Sequence, residues 1–186
     1  PCARVAGAND AETAVAAGVR RIEAVSGVAA ENYLNEQLQQ LDAVKAVFPS
    51  AKVIVHVSNG YNNSLFTWMF DGLKNNGAKY DVIGMSLYPT AANWASYNTQ
   101  CLANMNDMVA RYSKEVMIVE VGMPWDNAAD CNLFIKDLIT KTQTVTGSKG
   151  LGVLYWEPQA YSGWKGYTLG AFDNSGKPTA ALNAFQ

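Results

Sequence analysis

Val116-Met117-Ile118-Val119-Glu120-Val121-Gly122 is an apolar run rich in β-branched residues, with one carboxylate near its end. Such a run predicts a strand that is buried on both faces, as the strands of parallel sheets are. An ionised carboxylate costs free energy to bury there without a partner. Glu120 is therefore either the structural partner of a nearby Lys or Arg, or a chemically active group at the end of a strand.

The rest of the chain from residue 31 onward alternates between strand-like and helix-like segments. Strands are predicted over residues 52–57, 81–87, 116–121 and 151–156. Helices are predicted over residues 33–47, 65–76, 97–112, 131–145 and 178–185. Ser64 is expected to cap the second helix. This alternation predicts an α/β fold in which right-handed βαβ units surround a parallel sheet.

Residues 1–30 differ in composition from the remainder. They contain no Trp, Tyr or Phe, although 11% of the chain is aromatic. Ala, Val, Gly and Arg dominate them, and an Ala-rich segment buries little area per residue. We therefore divide the chain into an atypical segment, residues 1–30, and a domain, residues 31–186. The segment is an early βα unit, a linker or a stretch foreign to the rest, and we favour the last.

Composition excludes several classes of protein. Hydrophobic residues make up 49% and charged residues 16%, which is typical of a globular domain. The net charge of −2 and the lack of a basic run argue against nucleic acid as a partner. No apolar stretch approaches the roughly 20 residues that span a membrane. The chain opens at Pro1 rather than Met, which indicates a processed product or a fragment, so a removed signal stays open.

The three cysteines match no zinc-binding spacing. Cys101 and Cys131 each come early in a predicted helix, and these two helices follow consecutive strands. We expect that they pair in a disulfide, which would add roughly 3–4 kcal/mol to the free energy of unfolding. No phosphate-binding glycine loop or G-x-S-x-G motif is found, and the single histidine excludes a multi-histidine metal site. We predict no cofactor and no metal.

Polar and aromatic side chains follow every predicted strand, and these ends meet at one edge of a parallel sheet. The candidates for substrate binding are His56, Asn59, Tyr88, Trp94, Trp125, Trp156 and Trp164. Aromatic faces stack on the C–H faces of sugar rings, and Asn, His and Glu hydrogen-bond to hydroxyl groups. A cleft of this composition favours a sugar ligand. The hydroxyl of Tyr88 is expected to donate to Glu120 and hold it as an ionised nucleophile.

Four motifs together resemble the C-terminal half of a known enzyme family. They are VIVHVSNG (53–60), YDVIGMSLYP (80–89), VMIVEVGMPW (116–125) and GLGVLYWEPQ (150–159). The chain from residue 31 to 186 resembles the endo-β-1,4-galactanases, family 53 of the glycoside hydrolases. The resemblance implies approximately the last four βα units of a (β/α)8 TIM barrel.

The resemblance also implies roles for individual residues. Glu120 would be the nucleophile on the seventh strand, Tyr88 its hydrogen-bond donor, and Trp156 an aromatic platform after the eighth strand. His56 and Asn59 would lie near the bound galactose. Some family members bind calcium in a long acidic loop after the seventh strand, but residues 124–130 are too short for it. The resemblance to secreted or periplasmic enzymes of gut-type bacteria implies the same localisation here.

The family's acid/base residue has no counterpart in this sequence. It is the Glu of a Gly-Asn-Glu motif, which is absent here, and Asn35-Glu36 falls inside a helical pattern. Asp10, Glu12 and Glu157 are the nearest candidates. A barrel of eight strands typically needs ~250 residues, so 186 residues predict a partial barrel with two open sheet edges.

The sequence therefore predicts retaining hydrolysis of β-1,4-galactan, the arabinogalactan side chains of pectin, with Glu120 forming the covalent intermediate. The alternatives are a non-catalytic remnant that binds galactan, a half-barrel that associates through its open edges with a second chain, and another retaining β-glycanase of the same barrel clan.

Overall fold

Four parallel strands form the centre of the molecule. The structure is a computed structural model, and it describes residues 39, 43, 45–161 and 164–186. The strands are β1 (Ile54–Val57), β2 (Val82–Leu87), β3 (Glu115–Val121) and β4 (Gly150–Tyr155). They lie side by side in sequence order, and every neighbouring pair is parallel. The predicted α/β fold with a parallel sheet is confirmed.

Helices connect the strands. They are α1 (Asn63–Asn75), α2 (Trp94–Tyr112) and α3 (Ala128–Gln143), with short 3-10 helices at Trp125–Asn127, Thr146–Ser148, Trp164–Gly166 and Ala180–Phe185. The predicted closing helix is thus a 3-10 helix. Residues 1–30 and most of the predicted helix 33–47 lie outside the described residues, although Gln39, Ala43 and residues 45–47 are helical.

The core lies between one face of the sheet and the helices. Ile83, Met85 and Ile118 on the strands are fully buried, as are Phe66 on α1 and Phe134 on α3. Each such side chain contributes roughly 1.5–3 kcal/mol by leaving water. This apolar layer holds the helices against one face of the sheet.

Two predicted details at the helix starts are wrong. Asn62, not Ser64, caps α1, because its side-chain oxygen accepts from the N–H of Leu65. Ser64 is the second residue of the helix, where its hydroxyl cannot reach that N–H. The helix predicted over residues 97–112 begins earlier, so Trp94, expected in the loop before it, is the first residue of α2 and packs against the core.

A β-bulge in β3 changes the direction of Glu120. Met85 pairs with Ile118, but the next residue, Ser86, pairs with Glu120, so Val119 is an extra residue in the strand. Without it, the alternation along the strand would place Glu120 on the same face as Ile118, toward the helices. The bulge turns Glu120 to the opposite face, beside Ser86. Room for Val119 comes from Gly84, where a Cβ would lie 3.2 Å from Val119 Cγ2 and 2.8 Å from Ile54 Cγ2.

β3 is not buried on both faces as predicted. Met117 and Val119 are only partly buried, whereas all six residues of β2 are buried. On the flanking strands Ile54 is 41% and Leu154 is 51% exposed. The reason is that the helices α1 to α3 pack on the other face of the sheet.

The predicted disulfide is absent. Cys101 and Cys131 are both buried and both free. The sulfur of Cys101 faces Met85 Sδ at 4.0 Å, and that of Cys131 lies 3.7 Å from the Tyr155 hydroxyl. The two helices do follow consecutive strands, but each thiol packs against the sheet beneath its own helix rather than across the gap between helices.

Within the part of the chain that the structure describes, no helix combines the length and the apolar character required to cross a bilayer.

Candidate active site

The C-terminal ends of the four strands carry the predicted site residues. His56 is the third residue of β1, Tyr88 follows β2 directly, Glu120 is the penultimate residue of β3, and Trp156 follows β4 directly. Because the strands are parallel and adjacent, these side chains come from the same edge of one sheet. The predicted position of these four residues at adjacent strand ends agrees with the strand bounds and order, and their role in a substrate site stays a prediction.

Glu120 lies between two of these residues. The hydroxyl of Tyr88 donates to Glu120 Oε2 at 2.9 Å, as the sequence predicted. On the other side, Nδ1 of His56 lies 3.7 Å from Glu120 Oε1. The Glu120 side chain is 18% exposed, so it is largely shielded but still reachable. A carboxylate with one oxygen held by a donor and access to solvent has the arrangement of a nucleophile.

Tyr88 is held as a neutral donor. Burial raises the pKa of its hydroxyl well above the ordinary value for tyrosine, and the neighbouring charge of Glu120 raises that pKa further. The raised pKa keeps the phenol protonated, and so able to donate, at neutral pH. A carboxylate can only accept hydrogen bonds, so the single proton of Tyr88 points to Glu120.

Tyr167 is a site residue that the sequence did not reveal. Its hydroxyl donates to the carbonyl oxygen of Trp156 at 3.3 Å, and it approaches Tyr88 beside Gly122. Gly122 makes the close approach possible, because a Cβ there would lie 3.0 Å from the Tyr167 hydroxyl and 3.1 Å from Tyr88 Cε1. Tyr167 belongs to a long loop without periodicity, so no sequence pattern pointed to it.

The loop after β1 is fixed by a buried amide. Asn104, which is 1% exposed, donates to the carbonyl oxygen of Gly60 at 2.8 Å and accepts from Asn63 Nδ2 at 2.9 Å. The N–H of Gly60 in turn donates to the carbonyl oxygen of Ser86 at 2.9 Å. Asn59 lies beside Gly60 with a φ of 58°, a left-handed conformation that Asn tolerates better than most residues. The sequence singled out Asn59 but not Asn104, which holds its loop.

The predicted tryptophans lie in different surroundings. Trp156 follows β4. Its backbone N–H donates to the carbonyl oxygen of Val121 at 2.9 Å, and this bond joins the C-terminal ends of β4 and β3. The backbone N–H of Trp125 donates to the carbonyl oxygen of Thr168 at 3.1 Å. Trp164 has the Lys165 ammonium 5.2 Å from its ring centroid. Trp94 packs against the core, so it is the least suited of the four to contact a sugar.

A second carboxylate follows β4. Glu157 adopts a φ of 45°, which is unusual for a residue with a side chain. Burial raises the pKa of Tyr167, and the charges of Glu120 and Glu157 raise that pKa further. Of the other acid/base candidates, Asp10 and Glu12 lie outside the described residues. Among the residues that the structure does describe, no group of three His, Cys, Asp or Glu side chains is arranged to hold a metal ion.

Comparison with known proteins identifies relatives of the chain. A family model described as glycosyl hydrolase family 53 matches residues 19–185. An arabinogalactan endo-β-1,4-galactanase of Cellvibrio japonicus is 34% identical over 131 residues, which are 58% of this chain and 32% of that protein. An enzyme of the same name from Humicola insolens is 28% identical over 131 residues, 59% of this chain and 39% of that protein.

The fold has a solved counterpart. The GH53 catalytic domain of Ignisphaera aggregans superposes with a TM-score of 0.68 at 23% identity, covering 83% of this chain and 51% of that one. The likeness confirms the predicted partial (β/α)8 barrel. The chain spans less than half the length of the two curated relatives it matches.

Proposed function

The chain belongs to glycosyl hydrolase family 53, and on that premise we propose that it serves the retaining hydrolysis of β-1,4-galactan in pectic arabinogalactan. The observation that carries the proposal is the Glu120 carboxylate at the sheet edge, with the Tyr88 hydroxyl 2.9 Å from Oε2. The galactanase relatives supply the substrate class.

The proposed reaction has two steps. A carboxylate oxygen of Glu120 attacks the anomeric carbon, a C–O bond to the enzyme forms, and the bond to the leaving sugar breaks. The leaving oxygen takes a proton from an acid, and water activated by the same group then hydrolyses the glycosyl-enzyme ester with net retention. Tyr88 holds Oε2, which leaves Oε1 to attack.

The leaving group decides which experiment isolates Glu120. Galactan releases a sugar alkoxide that must be protonated, whereas a dinitrophenyl β-galactobioside releases a stable phenolate that needs no proton. The test is hydrolysis of both substrates by the wild type and by Glu120→Gln. We expect turnover of the aryl substrate that Glu120→Gln abolishes. The proposal is refuted if Glu120→Gln hydrolyses the aryl substrate as fast as the wild type, or if the wild type hydrolyses neither substrate.

The same pair of substrates tests the acid/base. Cleavage of galactan as well as the aryl glycoside indicates a working acid in the chain. Glu157 is then the first described candidate, because it directly follows Trp156 at the edge that holds Glu120. Glu157→Gln is expected to slow galactan cleavage far more than cleavage of the aryl substrate, since only galactan requires the proton.

A second candidate function is galactan binding without hydrolysis. Trp156 and Trp164 both follow β4 and are both partly exposed, which suits them to stack on pyranose rings. Affinity electrophoresis in galactan tests it, with Trp156→Ala compared with the matched control Trp68→Ala. Trp68 lies on α1 and is 62% exposed. Binding at the sheet edge is supported if galactan retards the wild type and Trp68→Ala but not Trp156→Ala. A wild type that galactan does not retard contradicts this function.

Two further properties belong to the proposal. A polymeric substrate does not cross a membrane, so we propose a secreted or periplasmic location, which cell fractionation tests.

β1 and β4 are the outermost strands of the described sheet, and unpaired strand edges favour association with another chain. Sedimentation velocity tests that association, and a clean monomer across the concentration range argues against it.

A further inference from the structure

A groove lies between α1 and α2, apart from the sheet edge that holds Glu120. Its volume is about 430 Å³, within the roughly 300–1,000 Å³ of ordinary ligand sites. The side chains that line it include Tyr61, Asn63, Gln100, Ala103, Asp107 and Arg111. We propose that this groove is a second carbohydrate-binding site, which takes a neutral sugar chain.

The groove is long and open along α2. Its α2 residues lie at positions 100, 103, 104, 107 and 111, a spacing that puts them on one face of the helix. At the helical rise per residue, the distance from Gln100 to Arg111 is about 16 Å along the axis. Gln100, Ala103 and Arg111 are all exposed. An elongated, open groove suits an extended polymer better than a compact metabolite.

Tyr61 gives the groove an aromatic wall that is already held in place. This residue follows Asn59 closely in the loop after β1, and its ring stacks on that of Tyr97 with the centroids 3.9 Å apart and 24° between the planes. Both tyrosines pack against the core, yet Tyr61 stays partly exposed. A ring that is fixed before binding loses little conformational entropy when the C–H face of a sugar stacks on it.

The polar side chains are oriented by bonds to one another and keep atoms for a ligand. Asp107 Oδ2 accepts from Asn63 Nδ2 at 2.8 Å and from Arg111 Nε at 2.7 Å, which leaves Oδ1 to accept from a sugar hydroxyl. The terminal nitrogen atoms of Arg111 can donate beside it. Gln100 Nε2 donates to Ser96 Oγ at 2.9 Å, which leaves Oε1 as a further acceptor. Acceptors and donors side by side match hydroxyl groups, since each hydroxyl both donates and accepts.

The charge of the groove favours an uncharged ligand. Asp107 is the one carboxylate and Arg111 the one cationic side chain among the described residues that line it. The two form an ion pair at 2.7 Å, so their charges largely cancel. An acidic sugar such as a galacturonate would meet the Asp107 carboxylate without an unpaired cation to offset the repulsion. The choice of β-galactan as the neutral chain rests on the proposed function.

An NMR titration of the chain with β-1,4-galactotetraose tests the inference. The reporters are the side-chain amide signals of Asn63 and Gln100 and the backbone amide signal of Ala103. We expect them to shift together along one saturation curve. Signals of the groove that do not move overturn the inference. Trigalacturonate is the charged comparison, and a higher affinity of the groove for it than for galactotetraose overturns the assignment to a neutral chain.

Two substitutions at exposed positions of α2 locate the binding. Gln100→Ala removes one hydrogen-bonding group and is expected to lower the affinity of the groove about 3- to 10-fold. Ala103→Gln puts a longer side chain into the groove and is expected to abolish the saturation. The matched control is Gln143→Ala, which changes an exposed glutamine on α3 and is expected to bind like the wild type. Wild-type affinity in both groove variants contradicts the inference.

The inference and the proposed function fail in different ways. Groove signals that shift in a chain that does not hydrolyse the aryl galactobioside support the second site and refute the nucleophile. Hydrolysis of that substrate by a chain whose groove signals stay unchanged refutes the second site and leaves the assignment of Glu120 intact.

Discussion

The Tyr88 hydroxyl donates to Glu120 Oε2 at 2.9 Å across 32 positions of sequence. The two residues end neighbouring strands, and the bulge at Val119 is what turns Glu120 toward Tyr88. A hydrogen bond from this neutral phenol stabilises the ionised form of the carboxylate.

We expect Tyr88→Phe to slow the first chemical step about 100- to 1,000-fold, the effect of removing one donor from a site where charge changes. The measurement is kcat on the aryl galactobioside. Tyr112→Phe is the control, because that hydroxyl donates to Asp71 Oδ1 at 2.8 Å elsewhere in the fold. This control is expected to lose about 1–3 kcal/mol of unfolding free energy and to keep its activity. Equal rates for Tyr88→Phe and the wild type contradict the assigned role.

We expect Gly122→Ala to lower both stability and activity. The new methyl group would lie 2.9 Å from the Leu169 carbonyl oxygen, so the backbone must shift, at a cost of about 1–3 kcal/mol. Gly72→Ala on α1 is the matched control, because a Cβ there meets no atom within 4 Å. It is expected to raise stability by about 0.5–1 kcal/mol, the helix preference for Ala over Gly. The measurement is urea unfolding of both variants. A free energy of unfolding for Gly122→Ala equal to that of the wild type contradicts the close packing at this position.

We expect Asn104→Ala to loosen the loop that carries Asn59. The substitution leaves the Gly60 carbonyl oxygen without its 2.8 Å donor, at a cost of about 1–3 kcal/mol. Because the loop lies at the sheet edge, the KM for galactan is expected to rise more than kcat falls. Asn106→Ala on the same helix is the control, since Asn106 accepts only from Thr146 in an exposed setting. An unchanged KM for Asn104→Ala would show that the loop does not contact substrate.

We expect both buried thiols to be free and slow to react. Burial raises the pKa of Cys101 to about 12 and that of Cys131 to about 11. The reactive thiolate is therefore scarce until the pH approaches those values. Alkylation with iodoacetamide followed by peptide mapping is the measurement. Without reductant, both cysteines are expected to resist the reagent in the native protein and to be modified after denaturation. Protection that persists in the denatured protein would indicate the disulfide.

We expect Asp81 to contribute to stability only above acidic pH. Its Oδ2 accepts from Lys45 Nζ at 2.6 Å and from the N–H of Val53 at 2.7 Å, and these bonds, that from Lys45 first, lower the pKa of the carboxyl. A lowered folded-state pKa stabilises the protein above the unfolded value of about 3.9, and the contribution disappears as the pH falls through the folded value.

Urea unfolding of the wild type and Asp81→Asn at several pH values is the measurement. The gap in unfolding free energy between the two is expected to be largest near neutral pH and to narrow below about pH 4. A gap that does not depend on pH would assign the effect to the shape of the side chain and not to its charge.

The sequence by itself determined the alternation of strands and helices, because burial imposes an apolar pattern that is local and readable. It also placed Glu120, Tyr88, His56 and Trp156 at one edge, since parallel strands bring their C-terminal ends together. The pairing of Tyr88 with Glu120 was predicted from that placement and from the chemistry of the two groups, although the placement alone did not set the direction of the Glu120 side chain.

Only the tertiary structure decided the direction of Glu120. Strict alternation from Ile118 would have turned it toward the helices, and the bulge at Val119 depends on the space that Gly84 leaves on the neighbouring strand. The sequence likewise did not predict Tyr167 and Asn104, because each makes its contacts with a distant segment and neither belongs to a periodic pattern. The tertiary structure also decided that Cys101 and Cys131 do not pair. Neighbouring helices bring two residues near each other, but the packing of each side chain against the sheet decides whether they meet.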